Sequence, residues 1–121
     1  MKREERSKEK INNDMQSAAM TFLGLHMVEL IKRISEFDNS LSKKRMIEEY
    51  YANQEGFHDK KIRGTTTRIN AVLRIIRAEE VVYVLEQITI SNSSVSPSAK
   101  LRAKETLHRI KTGEIVLPLL E

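Results

Sequence analysis

A chain of 121 residues with 40% hydrophobic and 31% charged side chains and a formal net charge of +4 has the length of one domain and enough apolar content for a core of its own. The absence of cysteine excludes a disulfide framework, a thiolate zinc site and a thiol nucleophile. The longest charge-free run, the fourteen residues 15–28, falls short of the roughly twenty that span a membrane. With only two prolines and four glycines, long helices are favoured over a turn-rich β architecture. The expectation is a soluble, cytoplasmic, all-α protein.

Residues 1–13 mix charges of both signs with little apolar content and are expected to form a mobile segment ahead of a helical core domain at 14–90. A long helix is predicted over about 14–37. Leu23, Met27, Leu30, Ile34 and Phe37 recur at steps of four and three, which makes one apolar stripe. Ile11, Met15, Ala18, Phe22 and Leu25 make a second, roughly 120° away at about 100° per residue. A helix apolar on two sides needs two covers. One is its own domain; the other is expected to be a second copy, with Met15, Ala18, Phe22 and Leu25 at the interface of a homodimer. His26, inside this run, reads as a satisfied interior or interface histidine.

Asp38, Asn39 and Ser40 interrupt the pattern. Ser42 is predicted to cap a short helix over 43–54 that buries Met46, Ile47 and Tyr50, with Gly56 as its stop. Phe57 and Ile62 are the two residues able to pin the polar connection that follows. The next helix opens at Gly64 and the threonines Thr65, Thr66 and Thr67, and its apolar stripe is Ile69, Val72, Leu73 and Ile76. Glu79 and Glu80 fall out of phase with that stripe, so a break is expected near 78–80. A fresh helix then runs to about 89, with a β-wing as the alternative for the β-branched run. Residues 91–121 are expected to hold a linker, a basic helix opened by Ser96 and Pro97 and stopped at Gly113, and an apolar tail. That makes about five helices.

The clearest functional signal is electrostatic. Residues 60–78 carry six cations and no acid, whereas elsewhere 17 acids face the remaining 15 bases. Turned at about 100° per residue, the helix puts Thr67, Asn70, Ala71, Arg74 and Ala78 opposite its apolar stripe. Small residues let a helix approach base edges, Asn pairs bidentately with adenine, Arg with guanine, and Thr meets the thymine methyl. Thr67, Asn70 and Arg74 are therefore the expected base-reading residues. Lys60, Lys61, Arg63, Arg68 and Arg77 flank them and are assigned to backbone phosphates.

With the helix over 43–54 as its support, this order of polar cap, arginine, alternating apolar positions and then Val81-Val82 resembles the recognition helix of winged helix-turn-helix regulators. The resemblance covers about forty residues, and it departs from the motif in one respect. About ten residues separate the two helices, where the turn usually takes three or four. It implies sequence-specific binding of double-stranded DNA by a small transcriptional regulator or a plasmid or phage accessory factor.

Catalysis finds no footing. His26, His58 and His108 stand apart without metal-ligand spacing, and no phosphate loop, nucleophile elbow or dinucleotide glycine pattern occurs. Glu48-Glu49 and Glu79-Glu80 are adjacent pairs that point to different helix faces. No enzyme, catalytic residue, metal, cofactor or small-molecule ligand is expected. The alternative class is a helical protein–protein interaction module (an adaptor, inhibitor or assembly factor) that binds no nucleic acid and docks its partner through the long apolar helix.

Overall fold

The chain turns sharply at Ala19, whose φ of 71° lies outside anything an α-helix admits, so the single long helix predicted over 14–37 is two helices and a 3-10 turn. The computed structural model describes residues 1–91 and 94–121. In chain order, α1 is Lys8–Ala18, α2 is Met20–Lys32, a 3-10 turn covers Ile34–Asp38, α3 is Ser40–Ala52, α4 is Ile62–Arg77, α5 is Val81–Ile90 and α6 is Pro97–Lys111. The architecture is all-helical, and no strand occurs among the described residues. Residues 81–90 form a helix and not a wing. No helix among the described residues is long and apolar enough to cross a membrane.

The break at Ala19 resolves the two-stripe pattern. Ile11, Met15 and Ala18 belong to α1, which lies along α4, while Leu23, Met27 and Leu30 belong to α2, which packs against α1, α4, α5 and α6. Met15, Ala18, Phe22 and Leu25 are all buried within the single chain. Phe22 meets Phe57 edge-on at 5.0 Å between centroids, and Leu25 lies against Gly56. The second cover is therefore supplied by the chain itself, and these four side chains have no surface left to offer another copy. That corrects the expected dimer interface.

The N-terminal segment also differs from the mobile arm expected. Ser7 caps α1 by accepting a hydrogen bond from the Lys10 amide at 3.2 Å. Ile11 is fully buried, and the amides of Arg3 and Glu4 donate to the carbonyls of Glu121 and Arg77, each at 2.9 Å. The core likewise runs beyond residue 90, taking in Ala99, Ala103 and Leu107 of α6 and Ile115 of the tail.

α1, α3 and α6 start at side-chain caps and α2, α4 and α5 do not; two starts shift from the predicted positions. Asn39, not Ser42, caps α3: its Oδ1 accepts from the amides of Leu41 and Ser42 at 2.9 and 3.0 Å. α4 begins at Ile62, ahead of the threonines. Thr66 and Thr67 donate their hydroxyls to the carbonyls of Ile62 and Arg63 one turn back, both at 3.0 Å, a bond made inside a helix and not at its cap. The predicted break at 78–80 is made by Glu79 at a φ of 57°. Ser96 caps α6 through the Ala99 amide at 3.2 Å, and Pro97 stands first in the helix, where its missing N–H costs nothing.

His26 is an interior residue with both ring nitrogens engaged. Nε2 lies 2.9 Å from the Glu55 carbonyl and Nδ1 3.2 Å from the Glu29 carboxylate, which also accepts the Tyr50 hydroxyl at 2.7 Å. Burial, then the bond to Glu29, pushes the Tyr50 phenol well above its ordinary range.

Gly24 sets the closest helix contact. A methyl group there would sit 2.7 Å from the backbone oxygen of Ala99, so α2 and α6 pack backbone to backbone. Gly24→Ala should gain about 1 kcal/mol of helix propensity yet lose about 1–3 kcal/mol to overpacking. The expected net result in urea unfolding is a lower midpoint at unchanged slope. A raised midpoint would show that α6 shifts freely.

Candidate nucleic-acid interface

A helix of sixteen residues can present only the arc that its neighbours leave open. Thr65, Ile69, Val72 and Ile76 of α4 are buried on the inner side. Ala71, Ile75 and Ala78 are buried as well, where α1 runs alongside. Ala71 and Ala78 were expected on the DNA-facing side; both are buried. The open arc carries Ile62, Arg63, Thr66, Thr67 and Asn70 in its first turns, with Arg74 and Arg77 further along.

The six cations of segment 60–78 are sorted by their partners. Arg68 donates to Asp59 through Nε and Nη2, each at 3.0 Å, and through Nη1 to the Ala18 carbonyl at 2.8 Å. Arg74 donates through Nε to Asp14 at 2.8 Å. Arg77 pairs with Glu4 at 3.0 Å and bonds the Lys2 carbonyl at 3.2 Å. By contrast, Lys60, Lys61 and Arg63 are exposed, and none has an ion-pair partner among the described residues. With Gly64, Thr67 and Asp59 they line a shallow depression at the start of α4.

Of the expected base-reading set, Thr67 is exposed and Asn70 half-buried. Arg74 is tied down. Its guanidinium shares Asp14 with Arg6, which donates through Nε at 2.9 Å and Nη2 at 3.3 Å. The Asp14 side chain is only 4% exposed, against 38% for Arg74. The sequence reasoning missed this carboxylate, because nothing near residue 14 marks it as the partner of a residue sixty positions away.

The loop before α4 is held as firmly. Gln54 bonds the Asp59 backbone in both directions, accepting its amide at 2.5 Å and donating to its carbonyl at 2.9 Å. Tyr51 donates its hydroxyl to the Lys60 carbonyl at 2.8 Å. The Asp59 carboxylate accepts from Arg68 and from the Thr65 hydroxyl at 2.9 Å. The Arg68 guanidinium is the main reason that this carboxyl titrates below its ordinary value of 3.8, with burial opposing and Thr65 assisting. Phe57 anchors the loop as expected; Ile62 does not, and remains 41% exposed.

The long helix offered for partner docking in the alternative reading is interior, since α2 is buried from Phe22 to Met27. Among the described residues, no group of three His, Cys, Asp or Glu side chains is placed to hold a metal. No protein-family model, curated protein or solved structure matches the chain.

Two predictions follow the ion pairs. Arg74→Glu sets a second carboxylate against Asp14 and should lower stability by about 1–3 kcal/mol, the cost of breaking a buried pair discounted for the exposed guanidinium. Urea unfolding beside Arg74→Met separates charge from packing, and an unchanged midpoint in both would leave the Asp14 pair without structural weight. For Asp59, the folded pKa is depressed, so its contribution is complete above 3.8 and is lost as pH falls through the folded value. Wild type should therefore exceed Arg68→Met in stability most clearly above that pH, and the gap should narrow in acid.

Proposed function

We propose that the protein binds double-stranded DNA through the first two turns of α4 and reads sequence there, as a small transcriptional regulator or a plasmid or phage accessory factor. The observation that carries this reading is the sorting of cations. Three arginines of the basic segment hold the fold together, while Lys60, Lys61 and Arg63 stand exposed at one helix start without an ion-pair partner among the described residues. Unpaired cations around a helix N-terminus are suited to phosphates, because the helix dipole and the free amides add to their field. Thr67 and Asn70 stand behind them as the small polar groups able to meet base edges.

The reading is narrower than the sequence-based expectation. Arg74 is a structural residue in it, Arg68 and Arg77 are not phosphate ligands, and one chain suffices. Chemistry on a bound substrate has no part in it.

Fluorescence anisotropy with random duplex and with duplexes selected from a random pool, at two ionic strengths, tests it. Each phosphate contact contributes about 0.9 to the slope of log K against log salt. The triple change Lys60→Glu, Lys61→Glu, Arg63→Glu should therefore flatten the slope by about 2–3 and weaken binding by about a hundredfold or more at low salt. Thr67→Ala with Asn70→Ala should leave random duplex bound and remove about 1–3 kcal/mol of preference for a selected site. Retention on DNA that ignores the triple change, or no retention at low salt, sinks the proposal.

A further inference from the structure

We propose that the groove between α3 and the start of α4 docks a short, acidic, amphipathic helix of a partner protein. α3 turns one stripe toward α4 at steps of three and four, Ser40, Lys43, Lys44, Ile47 and Glu48, and Ile62 and Thr66 form the facing wall. The cleft holds about 620 Å³. Its length along α3, from Ser40 to Glu48, is about 12 Å, or two helical turns.

The floor is apolar. Ile62 is the first residue of α4 and keeps 41% of its surface in water, and Ile47 lines the groove from α3. A DNA backbone has no use for such a floor, because phosphates and sugars offer little apolar surface to bury against it. An amphipathic helix does: residues at i, i+3, i+4 and i+7 of a partner would fill a groove of this length.

The rim selects the sign of the partner. Lys43 and Lys44 have no ion-pair partner among the described residues; Lys60, Lys61 and Arg63 line a separate depression at the start of α4. Glu48 is the one carboxylate lining the cleft. It stands four residues from Lys44, yet the two form no ion pair. A partner helix would therefore place acids over Lys43 and Lys44 and a neutral or basic residue over Glu48, which fixes its direction. The charge pattern repels a basic segment, so specificity has a repulsive component as well.

The test uses the full chain, isotopically labelled for NMR, and three peptide probes of about fourteen residues. One carries leucines at helical spacing among aspartates and glutamates, one is a scramble of it, and one has lysines in place of the acids. The acidic amphipathic peptide should bind saturably, with amide shifts concentrated at residues 40–48 and 62–66. Ile62→Asp, and separately Lys43→Glu with Lys44→Glu, should each weaken it about tenfold; both alter surface positions, and unchanged spectra elsewhere confirm the fold. The inference is overturned if that peptide does not bind, if the scramble or the basic peptide binds as well, or if the shifts fall outside the groove. It is also overturned if a DNA duplex displaces the peptide by shifting Ile47 and Ile62 directly, or if the groove proves to be filled by a second copy whose association Ile62→Asp abolishes. It does not rest on DNA binding, since the groove's lining shares no residue with the depression formed by Lys60, Lys61, Arg63, Gly64 and Thr67.

Discussion

Asp14 of α1 carries a carboxylate almost wholly removed from water, which accepts hydrogen bonds from Arg6, ahead of α1, and from Arg74 of α4. A buried charge of this kind is tolerable only while its partners stay in place. Arg6 and Arg74 are therefore committed, and with them the course of the N-terminal segment over the end of α4. Glu4 then meets Arg77, and Met1 reaches Asp38 at the end of the 3-10 turn at 3.5 Å. The consequence for any ligand is direct: the last turns of α4 belong to the fold, and its first turns belong to the surface.

The absence of acids from residues 60–78 looks, along the sequence, like a surface prepared for a polyanion. In three dimensions half of that signal has an internal explanation. The carboxylates that balance Arg68, Arg74 and Arg77 come from Asp59, Asp14 and Glu4, all outside the segment. Charge balance is a property of neighbours in space, and a helix that buries one edge against another helix draws its counter-charges from there. Only the front of the segment, where Lys60, Lys61 and Arg63 form no ion pair among the described residues, keeps the meaning first read into the whole.

Features set by local chemistry could be read from the chain. The serine–proline start of α6, its end before Gly113, the phase break at Glu79 and the helical state of residues 81–90 depend on groups a few residues apart, and sequence reasoning found them. The turn at Ala19 could not be found in the same way. Neither proline nor glycine marks it, and the apolar residues around it continue a helical period that is actually divided between α1 and α2. The candidate site divides along the same line. Thr67, Asn70, Lys60, Lys61 and Arg63 reach the surface because helical phase places them there, whereas the fate of Arg74 depends on a residue sixty positions away. The stripe of α3 that lines the groove was visible as a pattern, but its meaning needed the position of α4.

That position is fixed by residues 53–61, which are too long for a tight helix-turn-helix connection and behave instead as a bracket. Gln54 clasps the backbone of Asp59, Tyr51 holds Lys60, and Asp59 grips Thr65 and Arg68 across the start of α4. A compact turn would fold the two helices directly onto each other. The bracket leads into the start of α4, whose Ile62 and Thr66 line one cleft with Ser40, Lys43, Lys44, Ile47 and Glu48 of α3. Ile62, Lys60, Lys61 and Arg63 are all exposed there. The same few hydrogen bonds thus produce two unlike surfaces on one helix start, a cationic outer edge and an apolar cleft with a basic rim. Whatever binds at either must tolerate a rigid platform, because shifting α4 would strip Asp59 and Arg68 of each other.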